Sequence, residues 1–580
     1  MADDVPEKKQ IIPSWGKIHY TFRLFSRRER AALAILALAA TVGFFGALNE
    51  INKRFSFETP APGGTWKEGI VGSPHFINPI LAISDPDRDL AALIYSGLMR
   101  PDGKGKLVPD LAEGYEISSD GLQYTFTLRQ DAQFHDGRKV TADDVVFTIN
   151  LAKNSLVKSP LRANWEGVEA EAVDTAHIKF KLKRAYAPFL ENTTLGILPK
   201  HIWEKVDQNE VALSNLNLRP VGSGAWRVEE VSLKESGIVN SYTLKSFRAY
   251  LHGEPFIRKM ALHFYPSEVE LLNAYEAGTI DAAGAISPQN IRKVGRRGGD
   301  IKKLTLPRIF GVFFNQNEKS LFVEKEVREA LNFATDKERI IKEVLEGYAV
   351  AAASPIPPGI LGALRNNKSE FDIPRARAIL DRAGWVKNAE TGTYEKIEKK
   401  KVVKELSFSL STSNAPDLVR AADIIKQNWE ALGAKVEVLV FEISDLNQNV
   451  IRPRRYDALL FGEIVGRDPD PFAFWHSSQR IDPGLNIALY ANHKADQLLE
   501  DAREIFSPEE REKRYEDFQK EVIADMPAVF LYSPYFIYLV PETVREYTSE
   551  HIVTPAERFA NAHRWHFETA HVWNIFKQSQ

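Results

Sequence analysis

Cysteine is absent from all 580 residues. That excludes disulfides, thiol nucleophiles, cysteine-ligated zinc and a lipid-modified N-terminal cysteine, while leaving the compartment open. An excess of either charge is also missing. The 75 lysines and arginines nearly balance 78 aspartates and glutamates, for a net charge of -3. A nucleic-acid-binding role therefore has no electrostatic footprint. The chain lacks a G-x-S-x-G elbow, an H-E-x-x-H pair and a G-x-x-x-x-G-K-[ST] loop, so the common signatures of hydrolases, zinc proteases and P-loop enzymes are absent. No low-complexity tract and no tandem repeat of roughly twenty to fifty residues is present.

What remains is an ordinary globular composition, 44% hydrophobic and 26% charged, on a chain too long for one core and expected to form two or three domains. One uncharged run stands out, AALAILALAATVGFFGAL from Ala31 to Leu48, preceded by Lys17, Arg23, Arg27, Arg28 and Arg30. As a helix it covers roughly 27 Å, enough for a hydrocarbon core. The basic residues before it predict an N-terminus inside and the remainder outside. A cleaved signal peptide is the rival reading, but its apolar region is normally shorter and its leader less extended. A buried core helix fits less well, because the run has no polar face. The expectation is an uncleaved single-pass anchor: residues 1–30 a cytoplasmic basic tail, 31–50 the membrane span and 51–64 a linker containing the Pro/Gly tether ETPAPGG.

The stretch FHDGRKVTADDVVF, Phe134 to Phe147, concentrates a histidine, three aspartates and two basic residues. Upstream, LQYTFTLR alternates, with Tyr124, Phe126 and Leu128 on one face of a half-buried strand. Asp136-Gly137 is a turn pair. Thr141 caps a helix whose first turn holds Asp143 and Asp144, and Val145, Ile149 and Ala152 follow at helical spacing. His135 has no second histidine at ligand spacing, so the stretch reads as architecture. Further on, Val327, Leu331 and Ala334 make one apolar stripe, and Ile340, Ile341, Val344 and Leu345 a second, with Gly347 where a helix would stop. ADIIKQNWEAL predicts a helix ending at Gly433, followed by the strand AKVEVLVFE. Such alternation indicates α/β layers. The lysine-rich EKIEKKKVVKEL reads as an exposed hairpin. In AHRWHFETAHVW, His563, His566 and His571 are the best metal candidates, but packing of Trp565, Phe567 and Trp573 explains the segment more simply.

The segment VPDLAEGYEISSDGLQYTFTLRQDAQFHDGRKVTADDVVFTI closely resembles the signature region of the family 5 extracellular solute-binding proteins, the peptide, nickel and oligosaccharide receptors of bacterial ABC importers. RPVGSGAWRVEE (Arg219 to Glu230) resembles that family's "P-V-G-[ST]-G-P-[YF]" segment, with Ala225 in place of the usual proline. LLNAYEAGTIDAA, the segment from FFNQNEKSLF to SPIPP, RARAILDRAGW and RYDALLFGEIVGRDPDPFAFW continue the match in order, over about residues 65–575. The resemblance implies an α/β, two-lobed type II periplasmic-binding fold with an enlarged first lobe. Lobe I would cover 65–310, lobe II 311–532, and 533–580 would complete lobe I, with crossings near Gly311–Asn315 and Phe530–Tyr535. It also implies a monomeric receptor, not an enzyme and without cofactor or metal. A peptide or other small solute would be bound between lobes and delivered to permease subunits with cytoplasmic ATPases. A membrane-tethered sensor or assembly protein using the same fold, or a receptor for a non-peptide solute, is the alternative.

By the same resemblance the cleft is lined by the loop HFINPILAISDPD, including Asn78, Ser84 and Asp85, and by FGEIVGRDPDPFAFW, including Gly462, Glu463, Val465, Arg467, Asp468 and Trp475. Read as residues alone, Asp468-Pro469-Asp470-Pro471 serves equally as turn chemistry, and Trp475 as core. Peptide-binding members place an aspartate three residues before the "D-P" turn, where it pairs with the peptide's α-amino group. Here that position is Val465, which offers no charge. Glu463, two residues earlier, would point the same way in a strand. The solute is then either a peptide whose amine is held by Glu463, or an uncharged, N-blocked or acidic molecule.

Overall fold

The computed structural model describes residues 25–292, 294, 299–364, 370–399 and 401–573. Most of the expected cytoplasmic tail, and the side chains of His571 and Trp573, lie outside these. The chain divides into two compact units, one of residues 62–567 and one formed by the N-terminal region to Ala61 with the segment from Glu568.

In the smaller unit the apolar run lies within a helix, Arg27–Phe55, begun by a reciprocal cap between Ser26 and Glu29. Its portion Arg27–Asn52 is long and apolar enough to cross a membrane. The segment read as a flexible linker is ordered: it is helical to Phe55, and Ser56–Ala61 is a strand paired antiparallel with Glu568–Trp573. Pro60 is tolerated because this strand has a single neighbour, so a missing N–H costs no ladder bond on its free side. The partner lies more than five hundred residues away, which is why composition alone reads as tether.

The larger unit is built on one mixed sheet. Its strands run Lys435–Phe441, Ser407–Ser413, Ala458–Ile464, Arg308–Phe314, Ala528–Pro541, Ala282–Gly284, Thr65–Val71, Lys259–Tyr265, Val239–Ser246 and Trp226–Leu233. The 14-residue strand Ala528–Pro541 belongs to both ends. Its first part pairs with Arg308–Phe314 and its last part with Gly299–Thr305. The chain therefore passes at Leu306–Pro307 from the last part of the long strand to its first part. Alternation along Arg308–Phe314 explains the layering. Val312 and Phe314 face a core with the helix Pro416–Leu432, whereas Ile309 and Phe313 face another with Trp475 and the helix Pro508–Asp525. A separate core gathers residues from Trp66 to Leu306 with Phe536 to Trp565.

Local readings of the FHDG region hold in detail. Tyr124, Phe126 and Leu128 are buried on alternate positions of Gln123–Leu128, and Gly137 has φ +87°. The Thr141 hydroxyl and N–H both donate to Asp144, at 2.7 and 2.9 Å. His135 accepts from Gly222 N–H through Nδ1 and meets the Gly224 carbonyl at 3.0 Å through Nε2. Burial holds its pKa down at about 4, so it is a neutral strut between two turns. The lysine-rich segment is a hairpin, Tyr394–Glu398 with Lys401–Glu405. Trp565 is fully buried, its ring centroid 4.8 Å from that of Trp66. His563 and His566 are buried in different surroundings, and no group of three metal-ligating side chains occurs among the described residues.

One buried ionic cluster ties the C-terminal segment to the first elements of this unit. Arg558 donates to Glu68 on the strand Thr65–Val71 (3.0 and 3.1 Å) and to Asp89 on the helix Asp85–Ile94 (2.6 and 2.7 Å). Trp66 Nε1 and the Tyr538 hydroxyl complete Glu68, each at 2.8 Å. Burial raises both carboxyl pKa values and the guanidinium opposes it. Removing the cation alone strands two carboxyls. Arg558→Ala should lower the unfolding free energy of the chain by about 3–5 kcal/mol, whereas joint replacement by Glu68→Gln, Asp89→Asn and Arg558→Met recovers most of it. Chemical denaturation reads both, and a loss below about 1 kcal/mol for the single variant would refute this account.

Candidate functional site

The loop that follows Thr65–Val71 is shaped from within. The buried Asp87 carboxylate accepts from His75 N–H (2.6 Å), Phe76 N–H (2.9 Å) and the Ser84 hydroxyl (2.7 Å). Ser84 in turn caps the helix Asp85–Ile94. Asn78 is wholly buried, donating to Asn217 and accepting from Ile80 N–H. Asn78 and Ser84 thus set the backbone, and the loop leaves Ile83 and Asp85 exposed at its tip. Burial holds the Arg308 guanidinium below its ordinary pKa, and the Asp85 carboxylate opposes that shift. Arg308 starts the strand Arg308–Phe314, on the far side of the long strand Ala528–Pro541 from Thr65–Val71.

The second segment is the end of Ala458–Ile464 and the turn after it. Gly462 lies opposite Phe310, and a Cβ there would stand 2.8 Å from the Phe310 ring, so only glycine fits under the aromatic. Glu463 is opposite Ile309 and 2% exposed, and among the described residues its carboxylate oxygens make no well-formed hydrogen bond. Burial lifts its pKa well above the ordinary range, with the Trp475 indole opposing. Val465 is buried in the same core as Trp475, against Ile309 and Phe313. The two side chains do share a side, as strand alternation requires, and it is the core side.

Arg467 extends the other way. Gly466 has φ +92°, which turns the chain so that the guanidinium reaches Glu191 (2.8 Å) and Glu557 (2.5 Å), with its side chain 7% exposed. Asp468 pairs with Arg511 at 2.7 Å, and Asp470 with Arg503 at 2.6 Å while accepting from the Tyr186 hydroxyl. Burial, reinforced by Glu557 and Asp468 against the pull of Arg467, pushes Glu191 up to about 7. Burial pushes Asp468 up to about 6.

Two cavities meet at this cluster. One, about 470 Å³, is walled by Ala82, Ile83, Leu161, Arg100, Tyr250 and Glu557, among others. The other, about 660 Å³, includes Glu191, Pro307, Ile360, Arg467, Asp468 and Arg511 in its walls. The Arg467–Glu557 pair stands where they approach. Of the candidates read from sequence, Arg467 and Asp468 line a cavity, and Ser84 and Asp85 directly follow the lining residue Ile83. Asn78, Glu463, Val465 and Trp475 belong to packed interior. Glu191, Glu557, Arg511 and Arg308 carried no local signal, since each is an isolated charge far along the chain from its partner.

Comparison with known proteins agrees with this architecture. The family profile described as bacterial extracellular solute-binding proteins, family 5 middle, matches residues 106–482. The oligopeptide-binding protein AppA of Bacillus subtilis is 28% identical over 93% of this chain and 99% of its own length. Its solved structure, in complex with a nonapeptide, superposes with a TM-score of 0.67 at 26% identity over 88% of this chain and all of that one. NikZ from Campylobacter jejuni, in complex with Ni(L-His), gives a TM-score of 0.67 at 28% identity over 87% of this chain and 99% of that one.

The raised carboxyl pKa values at Arg467 give a signed expectation. Glu191 and Asp468 hold protons here more tightly than in an unfolded chain. Their contribution is complete below the ordinary carboxylate range and is lost as pH rises towards about 7 and about 6 respectively. His135, held neutral by burial below its ordinary 6.5, acts oppositely, so the quantity to measure is a difference. The Tm of Glu191→Gln relative to the parent should rise as pH goes from about 5 to about 7.5, by the equivalent of roughly 1–3 kcal/mol. A difference independent of pH would show that Glu191 does not titrate in this cluster.

Proposed function

The chain belongs to the bacterial extracellular solute-binding proteins of family 5, and from that premise we propose that it is a membrane-anchored receptor of an ABC importer. It binds a small solute between two lobes and presents it to permease subunits, with no chemistry performed on the solute. The observation that carries this reading is the Arg467 cluster, where residues from both ends of the long sheet converge beside two cavities of ordinary small-molecule size, about 300–1,000 Å³. The lobes are the two ends of that sheet, joined at Leu306–Pro307 and through the strand Ala528–Pro541, with the returning segment to Phe567 completing the first. A ligand touching Ile83 and Asp85 on one side and the Arg467 turn on the other favours the closed arrangement, because only that arrangement offers both sets of contacts. The helix Arg27–Phe55 holds the receptor at the extracytoplasmic face.

Solute class follows from the position that offers no charge. A buried ammonium needs a carboxylate partner. Val465 supplies none, and Glu463 sits in the core beside Trp475, away from both cavity walls. The carboxylates that do line the cavities are already engaged, Glu191 and Glu557 by Arg467 and Asp468 by Arg511, so we read the solute as uncharged, N-blocked or acidic, with Arg100 in one cavity wall. Calorimetry with a peptide library and its N-acetylated counterpart should show acetylated members binding at least as tightly, and Glu463→Gln should shift affinity less than threefold (about 0.7 kcal/mol). Strict dependence on a free amine and on Glu463 would instead restore the amine anchor.

The anchor has its own test. N-terminal sequencing of the membrane-extracted protein should find residues 1–50 retained; a mature start near Asn49 or Thr59 would overturn it.

A further inference from the structure

A row of cations crosses the edge of the main sheet where the chain joins the larger unit. Lys259 is the register partner of Thr65, Lys245 of Lys259, and Arg227 of Lys245, so three adjacent strands each end in a basic residue beside Thr65. Strand spacing puts Arg227 and Lys259 about 10 Å apart. Arg248 and Arg258 flank the row, and together the five wall a cavity of about 620 Å³. Only two carboxylates pair with them within 4 Å among the described residues: Glu229 with Lys245 and Lys259, and Glu254 with Arg248 and Arg258. Arg248 remains 91% exposed. None of these residues lines the cavities beside Arg467.

We infer that this basic edge docks on the phosphates of anionic lipid headgroups. The inference rests on the proposed anchor. From Asn52, the last residue of the apolar span, to Thr65 the chain runs thirteen residues, a contour of at most about 45 Å. That covalent limit keeps the edge within reach of the membrane surface, and an excess of basic over acidic groups is attracted to anionic lipid once within a Debye length of about 8–10 Å. Docking orients the receptor by this row of cations.

The chain has no cysteine, so Ala249→Cys, an exposed residue in the cavity wall, accepts a single fluorescent label. Full-length protein is placed in nanodiscs of phosphatidylcholine with or without phosphatidylglycerol, each doped with a quencher-bearing headgroup lipid. Quenching should be strong only in the anionic discs and be lost at high salt. Lys245→Gln with Lys259→Gln should weaken docking about 25-fold, about fivefold per charge, with circular dichroism confirming the fold. Equal quenching in both lipids, or indifference to the paired substitution, overturns the inference. Displacement by inorganic phosphate at matched ionic strength overturns the lipid assignment in favour of a free anion. If the chain fails to enter the discs, the anchor reading fails instead. The same labelled protein mixed with vesicles of those lipids then reads docking by itself.

Discussion

Arg558 is an arginine in a place where a cation should not survive alone. Its guanidinium is gripped by Glu68 and Asp89, residues 490 and 469 positions earlier in the chain, and Trp66 and Tyr538 satisfy what the guanidinium leaves open. Each partner is costly to bury and tolerable only with the others present. The geometry that results fixes the turn Pro555–Phe559 against the helix Asp85–Ile94, and with it Glu557, one residue away from Arg558. Glu557 is what Arg467 reaches. The candidate site therefore depends on a cluster that no solute touches.

What could be read from the sequence was local in origin. The FHDG turn, the Thr141 cap and the alternation in LQYTFTLR rest on interactions within a few residues, and all three appear as expected. The helix ending at Gly433 and the lysine-rich hairpin are legible for the same reason. The alternation that puts Glu463 and Val465 on one side was also legible, but which side faces solvent was not, because helices cover both faces of that strand. Arg467 could be named from the turn it occupies. Its partners could not, since Glu191 lies 276 residues before it and Glu557 90 residues after. The linker reading of 51–64 missed the strand Ser56–Ala61 on the same ground: Pro and Gly predict an irregular segment only when no distant strand is there to pair with it.

The two charged clusters also differ in kind. Around Arg558 one cation faces two carboxylates in the dry interior of a single core, a rigid arrangement with nothing beyond it to contact. Around Arg467 one cation again faces two carboxylates, but cavities open on either side and a second layer, Asp468–Arg511 and Asp470–Arg503, steadies the turn. On the proposed reading the first cluster builds a lobe and the second joins two.

The strand Ala528–Pro541 and the segment after it supply Phe536, Tyr538, Val540 and Trp565 to the core that begins at Trp66. During synthesis that core lacks part of its wall until almost the whole chain has emerged. Until Arg558 arrives, Glu68 and Asp89 have no cation to share, so early closure of the first half would bury uncompensated carboxyls. Folding is postponed by topology, through contacts of very long sequence separation. On the proposed reading, in which the N-terminal helix anchors the chain and the rest lies outside, that delay keeps the chain unfolded while it is threaded across the membrane.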